Sequence, residues 1–556
     1  MIFEVMVDLY QPRLMASIID QGILGLGHDG KPDPDFILST GAVMLLVTLS
    51  GCFCGIGSGV FANLFSQKAA NRLRKDCFGR ILDFSFAQTD RFTAGSLITR
   101  TTSDITQLRI MWGQMIRGAV RCGMFLFAGS VAMLSLSADF GAVVIVAMPV
   151  IIAEIVFFLW KTTPLFTSLQ EKLDRLNSVI RENILGIRVV KAYVRQDREI
   201  GNFDSSASDL ADVRFRIALL LAALHPLMNV VLNLAVAAVI YSGAVRVESG
   251  DMHPGAVMAG VTYMSQILMS LLMAAMIFQT VSRGSASARR TGEVLRQKRE
   301  LGDGTLVRGS SPGFVSFRSV SFAYPGSHGF ALRDVSFDLN AGGTLAVIGP
   351  TGSGKSTMAA LIARFYDAEY GSVMVDDQDV RLFSKSALRR RVSVVLQTSQ
   401  LFSGTVADNI AGGTGEYSIE DVIRAAKLAE ADEFICSLPK GYDTPVGPGG
   451  SGFSGGQRQG LAISRALFRK SDILILDDAT SALDFRTERR ILDHLRESFS
   501  SVTKIIIAQR ISTVMSADQI LVLDQGRMAG CGSHSELMAS SPLYRSIWES
   551  QMQEEK

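Results

Sequence analysis

Five apolar runs, at residues 36–62, 113–137, 140–160, 217–243 and 256–281, dominate the first half of this chain. Each has the twenty or so residues that a helix needs to cross about 30 Å of hydrocarbon. One such run alone is as consistent with a buried helix of a soluble core. Five in series are not. Residues 1–20 make a partial sixth run, interrupted by Glu4, Asp8 and Pro12. Lipid admits only helices and closed barrels, whose backbone polar groups are paired internally, so a helical membrane domain of about six spans is expected. Composition agrees: 48% of residues are hydrophobic, only 19% are charged, and mean hydropathy is +0.26. At 556 residues the chain is too long for one domain. A net charge of +2 gives no basic field for nucleic acid.

Basic residues orient the spans. With residues 1–20 as the first span, the segment between the second and third carries Lys68, Arg72, Arg74, Lys75, Arg80, Arg91 and Arg100. That between the fourth and fifth carries Lys161, Lys172, Arg175, Arg181, Arg188, Lys191, Arg195 and Arg198. The opposite connections carry little beyond Lys31 and Arg246. The two basic segments are therefore expected in the cytoplasm, as helical extensions of the spans. Met1 falls inside the first span, which is expected to lack its opening turns. The start has no basic region or cleavage pattern of a signal peptide. Glu4, Asp8 and Glu154 lie within spans, where charge is a functional hypothesis by default. They would either attract a cationic substrate or hydrogen-bond between helices. Met264, Met269, Met273 and Met276 are polarizable and adaptable; packing is the leading reading and a substrate cavity the other. The six cysteines form no disulfide or zinc pattern.

The second half opens with a charged helix and a Gly/Ser-rich linker at 286–312, followed by alternating strand patterns from 313 to 550. Leu345–Ile348 is an apolar strand that feeds Gly349-Pro350-Thr351-Gly352-Ser353-Gly354-Lys355-Ser356-Thr357. This is a phosphate-binding loop. Its glycines let backbone N–H groups crowd around phosphate oxygens, Lys355 reaches the terminal phosphates, and the Ser356 hydroxyl can ligand Mg²⁺. Further on stand Phe453-Ser454-Gly455-Gly456-Gln457, the apolar strand Ile473–Asp477 followed by Asp478, the stretch Ser481-Ala482-Leu483-Asp484, and Gln509 after the strand Lys504–Ala508.

In this order and spacing the motifs resemble an exporter-type ABC half-transporter, six spans fused to one α/β P-loop ATPase domain, over nearly the whole chain. The resemblance implies a transmembrane domain at 1–285, the linker, and a cytoplasmic nucleotide-binding domain at 313–550, in a multi-pass protein of a bacterial plasma membrane. It implies ATP and Mg²⁺ as cofactors. Tyr324 would stack on adenine. Gln397 and Asp477 would join Ser356 around the metal. Ser454, Gly455, Gly456 and Gln457 would bind the γ-phosphate of ATP held by a second subunit, and Asp484, at the end of the loop that follows the catalytic position, would join the nucleotide-binding residues. Short coupling helices near Thr93–Ser96 and in Tyr193–Phe203 would meet the ATPase domains. Pro448 stands where exporters usually have glutamate.

Two departures bear on catalysis. Asp478 occupies the position of the glutamate that orients water, and Gln509 that of the switch histidine. Aspartate is one methylene shorter, which displaces its oxygen by about 1–1.5 Å. A misplacement of that order can slow a reaction about a hundredfold. Glutamine carries neither the proton nor the charge of histidine. Such a site is expected to hold ATP and cleave it slowly. The pair, with an intact signature, resembles the degenerate-site subunit of heterodimeric multidrug-type exporters. The expected partner is a paralogous half-transporter, and the expected substrate an amphipathic drug, lipid or peptide. A homodimer with two slow sites and a nucleotide-gated regulatory protein are the alternatives.

Overall fold

The structure is a computed structural model and describes residues 1–26, 31–298, 300–327, 329–413 and 415–554. Its chain divides into two compact units. One comprises Met1–Arg80 and Gly95–Gln297; the other comprises Ile81–Ala94 and Lys298–Lys556. Residue 299, within the expected linker, lies outside the described residues.

Five helices of the first unit are long and apolar enough to cross a membrane: Pro34–Leu82, Ala94–Leu136, Ala138–Leu185, Gln196–Glu248 and Pro254–Leu295. All five apolar runs fall on them. Their 42 to 53 residues correspond to about 63–80 Å at 1.5 Å per residue, twice the hydrocarbon thickness. The basic segments continue the spans as helix. The partial sixth run is the helix Ile2–Ser17, which continues through the π-helical turn Ile18–Ile23.

Local chemistry sets the helix starts. Asp33 Oδ1 accepts the N–H groups of Asp35 and Phe36 at the opening of Pro34–Leu82, and the Ser137 side chain caps Ala138–Leu185. Pro12 has no N–H to give the Asp8 carbonyl four residues back. Gln266 Nε2 donates to that oxygen at 3.4 Å, and the Tyr263 hydroxyl to the adjacent Leu9 carbonyl at 2.6 Å. A kinked helix in lipid thus has its freed acceptor served by a neighbouring helix. Met133, Phe140, Val239, Tyr263, Met264 and Ile267 form the wholly buried centre.

The acidic residues of the spans do not stand open to a cation. Arg121 bridges Glu4 at 3.3 Å and Asp8 at 3.1 Å, and the Ser58 hydroxyl also donates to Glu4. For these two, the helix–helix role prevails. Both carboxylate oxygens of Glu154 are buried without a hydrogen-bond partner among the described residues.

The second unit is built on a six-stranded sheet in the order Arg527–Gly532, Gln519–Asp524, Thr344–Ile348, Thr503–Ile507, Ile473–Asp477, Val392–Val395. It is parallel except for the first, edge strand. Its central strands are buried on both faces, hence their continuous apolar sequence. An antiparallel sheet of Leu332–Leu339, Val315–Phe322, Tyr370–Val375 and Gln378–Asp379 packs beside it. The short helices Val406–Ala411, Ile419–Leu428 and Asp432–Ser437 accompany the longer Gly455–Phe468.

The segment Ile81–Ala94 joins this unit through the helix Phe86–Arg91, capped reciprocally by Ser85 and Gln88. Phe86 stacks on Phe365 at 4.2 Å. The Tyr366 hydroxyl donates to Asp90 at 2.7 Å, and Gln88 Nε2 to the Lys298 carbonyl at 2.7 Å. The stretch Thr93–Ser96, where the first coupling helix is expected, follows this short helix and opens the next one, Ala94–Thr99.

Candidate functional site

Parallel sheets bind ligands outside the carboxyl ends of their strands. Four neighbouring strands end here with the expected site residues: Thr344–Ile348 with the phosphate loop, Ile473–Asp477 with Asp477 and Asp478, Thr503–Ile507 with Gln509, and Val392–Val395 with Gln397. They meet in a cavity of about 430 Å³, also lined by Tyr324, Thr351, Gly352, Gly354, Ser356 and Thr357. Lys355 lies in its wall as well.

The loop's course requires glycine at two points. Gly349 has φ +155°, and a Cβ there would meet the Leu523 carbonyl at 2.0 Å; Gly354 has φ +99°, with the Ala331 carbonyl 2.5 Å from any Cβ. Lys355 Nζ donates to the Gly349 and Pro350 carbonyls, both at 2.8 Å, so the ammonium sits at the loop's mouth. Burial pulls its pKa down, against the opposing charges of Asp478 and Asp477. Ser353 lies behind, 2% exposed. The loop runs into the helix Lys355–Ile362, whose N-terminal dipole faces the cavity.

Ser356 Oγ donates to Asp477 Oδ1 at 2.8 Å. A hydroxyl and a carboxylate side by side, with the Gln397 amide nearby, are the hard oxygen donors that suit Mg²⁺. Among the described residues no group of three or more His, Cys, Asp or Glu could hold a metal alone. Burial raises the Asp477 carboxyl above the usual range, with Asp478 adding to the rise and Ser356 and Lys355 opposing it.

Asp478 takes the left-handed backbone, φ +50°, a strained choice for a non-glycine residue. One of its oxygens, Oδ2, accepts from Gln509 Nε2 at 2.9 Å and from Gln397 Nε2 at 3.3 Å. Burial raises its pKa as well, offset in part by those two amides. Two neutral amides therefore share one oxygen of this carboxylate. Tyr324 presents its ring to the cavity with its hydroxyl on Thr357 Oγ1 at 3.1 Å, and Phe322 and Tyr366 pack edge-on to it.

Ser454–Gln457 and Asp484 lie outside this cavity. Ser454 and Gln457 form a reciprocal cap on the helix Gly455–Phe468. Asp484 caps Phe485–Ser498 through the N–H groups of Arg486 and Thr487. In this chain it is a helix cap. Sequence reasoning missed two connectors. Gln459 accepts from the Ala482 N–H at 2.9 Å and donates to Ser481 Oγ at 3.3 Å, tying the signature helix to the loop after Asp478. Glu488, 4% exposed, takes Thr480, Thr513 and Arg510, each at 2.7 Å, and joins that loop to the stretch after Gln509. Charged and amide residues on amphipathic helices look like solvent-facing positions in sequence, so no pattern marked them.

Comparison with known proteins agrees with this geometry. Residues 1–271 match the ABC transporter transmembrane region, and residues 332–481 match the ABC transporter family. An uncharacterized ABC transporter ATP-binding protein of Bacillus subtilis, YfiB, is 36% identical over 551 residues, covering 99% of this chain and 95% of that protein. An ATP-dependent lipid A-core flippase of Vibrio vulnificus is 33% identical over 551 residues, 98% of this chain and 93% of that protein. A bacterial Atm1-family ABC exporter solved with ATP bound superposes with TM-score 0.81 at 28% identity, over 99% of this chain and 97% of the other. The chain is thus a multi-pass membrane protein with a cytoplasmic ATP-binding domain that couples ATP hydrolysis to transport, and it belongs to the ABC exporter half-transporters.

Proposed function

We propose that this chain is the degenerate-site subunit of a heterodimeric exporter that moves amphipathic substrates outward. The observation that carries the reading is the hydrogen bonding of Asp478. The carboxylate in the base position is shortened by a methylene and engaged by Gln509 and Gln397 through the same oxygen. Water activation needs a basic oxygen placed within hydrogen-bond reach of its target. In place of a histidine, Gln509 supplies a neutral amide that spends its donor on Asp478. ATP with Mg²⁺ on Ser356, Asp477 and Gln397 would be bound and retained here. The N-terminus of the Gly455–Phe468 helix, with the glycine N–H groups that follow its Ser454 cap, would complete the faster site on a paralogous partner.

Exposed apolar residues support pairing. Ile184, Leu185, Tyr193 and Val194 are 66 to 81% exposed around the turn between the helices Ala138–Leu185 and Gln196–Glu248. A cytoplasmic apolar cluster of this kind asks for a protein cover. A lipid-like substrate is supported by the relatives named as lipid A-core flippases.

The test is purification from native membrane followed by ATPase assay. A one-to-one complex is expected with a similar chain carrying glutamate and histidine at the two catalytic positions. A transport-active complex containing two copies of this chain alone would overturn the heterodimer and favour a homodimer with slow sites.

A further inference from the structure

The membrane unit contains a cavity of about 480 Å³ whose wall includes Arg109, Arg117 and Arg121, with Glu4 as its single carboxylate. Arg117 and Arg121 sit inside the apolar run 113–137, and Arg109 just before it. Arginines in such a place are expensive and rarely ornamental. Arg121 is neutralised by Glu4 and Asp8. Among the described residues, neither Arg109 nor Arg117 meets a carboxylate. The cavity therefore keeps two uncompensated guanidinium groups.

The backbone is arranged to align them. Steps of four residues on an α-helix drift by about 40° each, so residues 109, 113, 117 and 121 would spiral off one face. The π-helical turn Met115–Ala119 intervenes. Its wider turn takes back part of the drift, and all four residues line the same cavity. One guanidinium lies against the facing helix at Gly59. A Cβ on Gly59 would lie 3.4 Å from Arg117 Nη1. From Arg109, just ahead of the apolar run, to Arg121 within it the rise is about 18 Å, a ladder of positive charge leading into the span. The other wall is apolar and deformable, with Met273 and Met276.

We propose that this cavity selects amphiphiles with a multiply anionic headgroup, phosphate or carboxylate, and rejects cationic ones. Planar guanidinium groups bind both anions with paired, charge-assisted hydrogen bonds. The methionine wall takes the hydrocarbon. This names the substrate class of the transport path and rests on the export of amphiphiles proposed above.

The test uses the full chain in its native complex, in nanodiscs of phosphatidylcholine. The probes are a fluorescent-acyl phosphatidic acid, the matching phosphatidylcholine, a fluorescent alkyl-trimethylammonium and a fluorescent fatty acid, with inorganic phosphate as competitor. Phosphatidic acid should bind tightest. Arg117→Gln and Arg109→Gln should each weaken it about tenfold, and Arg117→Lys should recover most of the loss. Fatty-acid binding as tight as that of phosphatidic acid would overturn the requirement for more than one negative charge; weaker binding of this singly charged probe supports it. Equal or tighter binding of the ammonium probe would overturn the inference while leaving amphiphile export intact. So would glutamine variants that bind phosphatidic acid unchanged, or displacement of the probe by inorganic phosphate at equal concentration. If no amphiphile of any charge binds or stimulates ATPase, the export reading itself fails.

Discussion

Gly455→Asp separates composite ATP sites from independent ones, and the structure shows why the variant should still fold. A Cβ at Gly455 meets only the Ala482 Cβ, at 3.6 Å, an ordinary contact. Gly456 differs, since its Cβ would press the Ala482 carbonyl at 3.0 Å. Residue 455 opens the helix Gly455–Phe468, where a carboxylate favours the helix dipole by about 0.3–1 kcal/mol. Thermal stability should thus hold or rise. Toward a partner's γ-phosphate the same carboxylate is repulsive. At about 4 Å and an effective dielectric near 20, two unit charges repel by about 4 kcal/mol. That is about a thousandfold in rate or affinity. Purified complex should show steady-state ATPase reduced at least a hundredfold, with nucleotide still photocrosslinked at this chain's Lys355 loop. Gly455→Ala, with the same Cβ and no charge, should keep most activity. Normal turnover in Gly455→Asp, or loss of nucleotide from this chain's own loop with the partner's loop unaffected, would refute the composite arrangement.

Other outcomes follow from the same geometry. Asp478→Asn should lower ATPase of the complex only several-fold, whereas the matching change at a partner's glutamate should abolish it; steady-state rates of the two variants decide. Asp478→Glu with Gln509→His should raise hydrolysis at this site about tenfold or more, read as single-turnover cleavage. Glu488→Ala removes three hydrogen bonds and strands Arg510, so the domain should lose about 3 kcal/mol, seen as a lower Tm. Because burial raises the Asp477 carboxyl, Mg²⁺-dependent ATP binding should fall as pH drops through a midpoint above the ordinary aspartate value. The sign for stability is opposite: a carboxyl with folded pKa above its unfolded one is destabilising when ionised, and that penalty is relieved as pH falls. Binding isotherms and thermal melts across the acid range test both signs.

The membrane helices were legible because lipid imposes one rule on every span, a long apolar run. The strand ends carrying Lys355, Asp477, Asp478 and Gln509 were legible because each chemical role demands a residue type at fixed distance from an apolar strand. What stayed hidden depends on partners far away in sequence. Glu4 and Asp8 admit two readings in sequence, attraction of a cation or a bond between helices, and the partner that decides, Arg121, is more than a hundred residues on. The π-helical turn at Met115–Ala119 has no composition of its own, so the alignment of Arg109 with Arg117 could not be foreseen. The anchoring of Phe86 carries no sequence signal because its aromatic partners Phe365 and Tyr366 are far away in the chain.

The helices Ala138–Leu185 and Gln196–Glu248 form a mechanical lever. They lie against each other, are tied by the Lys172–Asp209 ion pair, and join at the turn that carries Tyr193 and Val194. Prolines 149 and 226 fall within their apolar runs and Pro164 just past one, while residues 165–185 and 196–225 contain none. Proline removes a backbone bond and softens a helix locally. The compliant positions therefore lie in the apolar portions or at their edge, and most of the stiff stretch lies beyond them. With about 35 Å of stiff rod, a tilt of about 10° at the proline level carries the tip some 6 Å, about one helical turn. A small yielding around a substrate in the membrane would arrive at the cytoplasmic end as a displacement large enough to change which side chains touch.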